Sequence, residues 1–159
     1  MGVSSPIRFP GRSVRASVLA LLLGASAALG CQSGSSTPTP GASSVVLQQL
    51  TRAGFRIDEA ISGDAGCSDP GLVGNATRLR VTHPPVDERP TTLYLYLFRT
   101  RDYAAQSPTV DACLAEIERT TGTDQDRVDV APYTVIVSGL GPESREALVA
   151  ALEAAARGG

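Results

Sequence analysis

One imidazole, three thiols and sixteen carboxylates are the groups in this 159-residue chain that could do acid–base, nucleophilic or metal chemistry. The imidazole is His83, in a His83-Pro84-Pro85 run. A catalytic histidine needs a nucleophile and an orienting partner within hydrogen-bond reach, and no serine or cysteine stands at a motif spacing from it. His83 is therefore expected to be a solvated loop residue. One histidine and so few cysteines also leave the usual zinc sets unfilled. Asp124, Asp126 and Asp129 alternate like a calcium loop, but an EF-hand needs an oxygen ligand at its fifth place and glycine at its sixth. Val128 and Asp129 stand there. The Asp58-Glu59 and Asp87-Glu88 pairs would need a cleft to set their two carboxyls apart, and adjacent acids in turns are expected to face water. Neither a Walker loop nor a G-x-G-x-x-G run is present. No catalytic residue, metal site or cofactor is expected.

One constellation points to binding instead. In residues 92–99 (TLYLYLFR), Leu93, Leu95 and Leu97 point one way, and Tyr94, Tyr96 and Phe98 the other. In residues 77–82, Leu79 and Val81 alternate with Arg78 and Arg80 in the same manner. If the aliphatic side chains face helices, Arg78, Arg80, Tyr94 and Tyr96 share the opposite sheet face. Arginine and tyrosine are enriched where proteins bind one another, so these four are the candidate binding face, for an envelope protein or an anionic ligand. The alternative is a central strand buried on both sides, with tyrosine chosen for its strand preference.

The elements that must hold these residues follow from periodicity. Residues 44–53 carry Val46, Leu47, Leu50 and Ala53 at helical spacing, with Gly54 to stop the helix. A short strand begins at Phe55. Residues 62–76 are rich in Gly, Asp, Ser and Pro and predict a loop. Strands follow at 77–82 and 92–99, separated by a Pro-rich turn over 83–90 that cannot donate ladder hydrogen bonds. Residues 102–106 predict a helical turn interrupted at Pro108. From there Val110, Cys113, Leu114 and Ile117 mark a helix to Arg119. Strands over 127–130 and 133–138 meet at Ala131-Pro132. A last helix starts at Pro142 and ends at Gly158. The order α-β-β-β-α-β-β-α predicts an α+β two-layer sandwich, a mainly antiparallel sheet of four to five strands with helices on one face. The globular domain spans residues 44–157.

Charge differs by region. Three of the fourteen arginines (Arg8, Arg12, Arg15) precede residue 31 and every acid follows it, so residues 31–159 hold eleven basic against sixteen acidic groups, net −5. That is the wrong sign for sequence-independent nucleic-acid binding, which neutralises phosphates, and no nucleic-acid partner is expected.

The N-terminus predicts export. The three arginines precede an apolar run over residues 16–29 (ASVLALLLGASAAL). Fourteen helical residues rise about 21 Å, short of a roughly 30 Å hydrocarbon core, so residues 1–30 are expected to be a signal peptide. The Ala28-Leu29-Gly30-Cys31 tetrad resembles the lipobox of bacterial lipoprotein precursors. The resemblance covers residues 1–34 and implies that the Cys31 thiol receives a diacylglycerol, that the leader is cut before it, and that the chain is held to a membrane of the cell envelope. Ordinary cleavage after Ala25-Ser26-Ala27 is the alternative and would secrete the domain. Residues 31–43 continue as a Ser/Thr/Pro/Gly tether with too little apolar surface to order itself.

Lipid on Cys31 also resolves an odd cysteine count, leaving Cys67 and Cys113 to pair outside the cytoplasm. Such a bridge would close a loop worth about 4 kcal/mol in the chain-entropy model. Without it, Cys113 is a small apolar residue on its helix's buried face. Together these features predict a lipid-anchored extracytoplasmic binding module. The alternative is a small envelope hydrolase or an enzyme's accessory subunit.

Overall fold

The computed structural model describes residues 42–84, 86–99 and 102–158. The expected signal peptide, Cys31 and the expected tether as far as residue 41 lie outside the described residues.

The elements run α1 (Ser43–Arg52), β1 (Arg56–Ser62), α2 (Pro70–Val73), β2 (Ala76–His83), β3 (Asp87–Leu97), α3 (Tyr103–Thr121), β4 (Asp126–Val130), β5 (Tyr133–Val137) and α4 (Pro142–Ala156). The five strands form one sheet in the order β1-β2-β3-β5-β4, and each neighbouring pair is antiparallel. The chain is thus the expected α+β sandwich on an antiparallel sheet.

Alternation divides the side chains between two cores. On one face, Leu79, Val81, Leu93, Leu95, Val135 and Val137 meet Val46 and Leu50 of α1 and Leu148, Leu152 and Ala155 of α4. The α4 residues Leu148, Ala151, Leu152 and Ala155 follow the i, i+3, i+4, i+7 spacing that puts them on one stripe, and all are buried. On the other face, Ala76, Tyr96, Phe98 and Ile136 meet Leu72 of α2 and Val110, Cys113 and Ile117 of α3.

Helices therefore cover both faces, where a single helical layer was expected. The reason is the apolar area that β3 and β5 carry on their second face. Tyr96, Phe98 and Ile136 are too large and apolar to leave wet, and the Val110/Cys113/Ile117 stripe needs a partner of its own.

Four boundaries depart from expectation. Helix α1 begins at Ser43, a residue before the expected start of the globular domain, and Ala42 already packs against the first core. The 62–76 loop contains α2, which Asp69 caps by accepting from Gly71 N at 2.8 Å and Leu72 N at 3.2 Å, with Pro70 at the first helical position. Strand β3 starts at Asp87 and includes Pro90. Its ladder with β2 is regular from Tyr96 to Thr91 and then shifts between Val81 and His83, so Pro90 falls in the irregular step where no ladder donor is required. Helix α3 likewise runs through Pro108 instead of starting there.

Candidate functional site

The second sheet face, away from α1 and α4, is where the candidate residues lie. Cross-strand register puts Ile61, Arg78, Tyr94, Ile136 and Arg127 in one row across the sheet. Helix α3 covers the Ile136 end. The Ile61 end is bordered by the segment from Gly63 to Asp69, which returns over the sheet.

That segment is clamped at nearly every residue. Gly63 N donates to Ala76 O at 2.9 Å. Asp64 accepts from Gly66 N at 3.0 Å, and its second oxygen lies 2.7 Å from Arg78 Nε. The Arg78 contact lies off the N–H direction, so it is an ion pair rather than a directed hydrogen bond. The Tyr96 hydroxyl donates to Ala65 O at 2.6 Å. Cys67 is bonded to Cys113 on α3, with Cα atoms 5.4 Å apart. Ser68 donates through N and Oγ to the two oxygens of Glu116, each at 3.1 Å. Gly66 has φ +72° and lies so close to the Tyr94 ring that a Cβ would stand 2.5 Å from Cε1. Only glycine fits both the backbone conformation and the approach.

The outcome is a rigid, open hollow of about 550 Å³, lined chiefly by Asp64, Cys67, Ser68, Val73, Tyr94 and Glu116. Its ionisable carboxylates are both acids with fixed partners. Burial, reinforced by the Asp64 carboxylate, raises the Tyr94 phenol above its ordinary value.

Of the four residues expected to form the binding face, the structure brings three to the surface on one side. Arg78 is half-buried, and its charge is neutralised by Asp64 at 2.7 Å and Glu59 at 3.5 Å. Tyr94 is half-buried at the hollow, and Arg80 is exposed beside Glu59 and Thr92 in the ladder. Tyr96 is excluded. It is fully buried because α3 lies across it, and burial pushes its phenol well above the tyrosine range. A second polar depression of about 390 Å³ joins Arg80 to Arg56, Asp58 and Glu59.

His83 corrects another expectation. It is buried, with 8% of its surface exposed, and closes β2 against two helices. Its Nδ1 lies 2.8 Å from Ser144 Oγ and its Nε2 lies 3.2 Å from Ala53 O. A carbonyl oxygen only accepts, so the proton belongs on Nε2, and the Ser144 hydroxyl donates to Nδ1. The Phe55 ring stacks on the imidazole at 4.3 Å. A serine bonded to a histidine is the core of nucleophilic acyl transfer, but this serine is fully buried. The neighbouring cavity of about 10 Å³ has room for one water at most. The pair holds the first turn of α4 to the ends of α1 and β2. No sequence signal marks it, because 61 residues separate the partners.

The acidic runs disperse. Asp58 pairs with Arg56 and Glu59 with Arg78, while Asp87 is chelated by Arg89, which holds its carboxyl below the usual range. Asp126 pairs with Arg145 of α4. Asp129 points to the opposite face, where it accepts from Tyr103 at 3.0 Å and Thr134 at 2.8 Å and pairs with Arg127. Arg127 also bonds Asp111 of α3. Among the described residues no group of three His, Cys, Asp or Glu side chains is placed to hold a metal ion. No protein-family model, curated protein or solved structure matches this chain. Among the described residues, no helix is long and apolar enough to cross a membrane.

Proposed function

We propose that the chain is a lipid-anchored, extracytoplasmic binding module, held to the cell envelope through Cys31 and presenting the Arg78/Tyr94 end of its second sheet face. The observation that carries this proposal is the Cys67–Cys113 bridge. It uses two of the three sulfurs, and the one left over stands in the lipobox-like tetrad behind an apolar leader. Disulfides persist in oxidising compartments, in keeping with export. The clamped Gly63–Asp69 segment supports binding, since a surface held in one conformation loses little entropy when a partner arrives.

Mass determination of the mature N-terminus tests the anchor. The expected mass is that of a chain starting at Cys31 with a diacylglyceryl thioether, and Cys31→Ser should release the protein from the membrane fraction. A chain starting at Ala28 with a free thiol would overturn the anchor. A small hydrolase or accessory subunit would have to draw on His83 or on paired carboxylates; the burial of His83 against Ser144 and the arginine pairing of Asp58, Glu59 and Asp87 argue against it.

A further inference from the structure

We infer that the hollow beside the disulfide takes a basic polypeptide segment in which Lys or Arg alternates with apolar residues; this rests on the binding function proposed above and names its partner. Two independent features of the surface specify that class.

The first is apolar exposure. Ile61, Val73 and Val86 are the large apolar side chains that stand exposed among the described residues, and two of the three border this site. Val73, 39% exposed, lines the hollow, and its side chain lies beside Gly63. Ile61, 37% exposed, continues the row of Arg78 and Tyr94 on the same face. Val73 lies with the half-buried Tyr94 ring and Cys67 at the hollow, and Ile61 stands across Arg78 from Tyr94; among the described residues no helix packs over this apolar surface.

The second is charge. Asp64 and Glu116 line the hollow and Glu59 stands farther along the same face; Arg78 is paired to Asp64 and Glu59, and Arg80 stands beside Glu59. Three carboxylates against two guanidiniums leave a local balance of −1, and the hollow's own two carboxylates face it with no cation but the paired Arg78 among their described neighbours. An anion would have to displace Arg78 from both carboxylates and approach Glu116 as well. A cation meets carboxylates already held in place by Gly66, Ser68 and Arg78, so little order is lost on binding. The open shape suits an extended segment better than an enclosed small molecule.

The test uses the purified native chain in uncharged detergent and a fluorescein-labelled twelve-residue peptide of alternating Arg and Val, followed by anisotropy. A matched peptide with Glu for Arg is the control. The Arg peptide should bind, more weakly as salt rises, and the Glu peptide should not. Asp64→Asn with Glu116→Gln, isosteric changes that remove the charges and keep one acceptor oxygen on each side chain, should weaken binding about three- to tenfold. Val73→Ser should weaken it about threefold, and Arg157→Ala, just past α4 on the other sheet face, should not weaken it. Circular dichroism and melting of each variant separate lost binding from lost fold. Equal or tighter binding of the Glu peptide would overturn the basic class while leaving a binding surface in place. Failure of both peptides at millimolar concentration would overturn the inference, and binding unchanged by the Asp64/Glu116 and Val73 variants would move it away from this hollow. None of these results bears on the Cys31 anchor, which the N-terminal mass decides by itself.

Discussion

Ser144 donates a 2.8 Å hydrogen bond to His83 across 61 residues of chain, and through that bond the first turn of α4 is tied to the end of β2. The other imidazole nitrogen reaches Ala53 O, just past the last turn of α1, so one ring ties three elements together. Removing the serine hydroxyl leaves Nδ1 buried without a donor. Ser144→Ala should cost about 1–3 kcal/mol, measured as a lower midpoint in urea with an unchanged slope.

Two buried tyrosines should respond oppositely to loss of their hydroxyls. The Tyr96 hydroxyl satisfies Ala65 O at 2.6 Å, whereas the buried Tyr133 hydroxyl has no hydrogen-bond partner among the described residues. Tyr96→Phe should destabilise by about 1–3 kcal/mol, because the Ala65 carbonyl loses its donor. Tyr133→Phe removes an unsatisfied polar group and should leave stability unchanged or raise it by up to about 1 kcal/mol. Thermal melts of the two variants side by side check this.

The same phenols predict alkaline sensitivity. Burial raises Tyr96, Tyr94 and Tyr133 above the ordinary tyrosine value. Above roughly pH 10 the unfolded chain releases phenolic protons that the folded chain keeps, so the unfolded state binds fewer protons and stability falls as pH rises. The contribution is fully present below about pH 10 and is lost as pH climbs toward the raised folded values. Melting points between pH 8 and 11.5 should be level at first and then decline, with a shallower decline in Tyr96→Phe. A flat profile to pH 11.5 would contradict the burial of these groups.

Gly66 and Gly139 both hold left-handed backbone, at φ +72° and +67°, but only Gly66 has a neighbour in the way. Gly139→Ala should cost about 1 kcal/mol for conformation alone. Gly66→Ala adds a Cβ inside the Tyr94 ring's contact distance and should cost at least about 1 kcal/mol more. Equal losses at the two positions would show that the segment does not rest on Tyr94.

Much of the architecture was written locally. The alternation of Leu79 and Val81 with two arginines marks β2. The Val110/Cys113/Ile117 stripe marks α3, and the Leu148/Leu152/Ala155 stripe with Pro142 marks α4. Those patterns are legible because a strand or helix repeats its buried side every two or every three to four residues. Pro90 within β3 was not legible. Whether a proline breaks a strand depends on whether its partner needs a ladder donor there, and that partner lies on β2.

What the sequence determined by itself is the set of short-range facts: the elements other than α2 and their order, the acidic balance of residues 31–159, and an apolar run leading into Cys31. Only the tertiary structure decided which groups meet. It placed α3 over Tyr96, gave Arg78 to Asp64 and Glu59, and sealed Ser144 against His83. Periodicity tells which side of an element is buried, since that follows from backbone geometry within one element. It does not tell what covers that side or which charge stands opposite, because those contacts join residues tens of positions apart through packing.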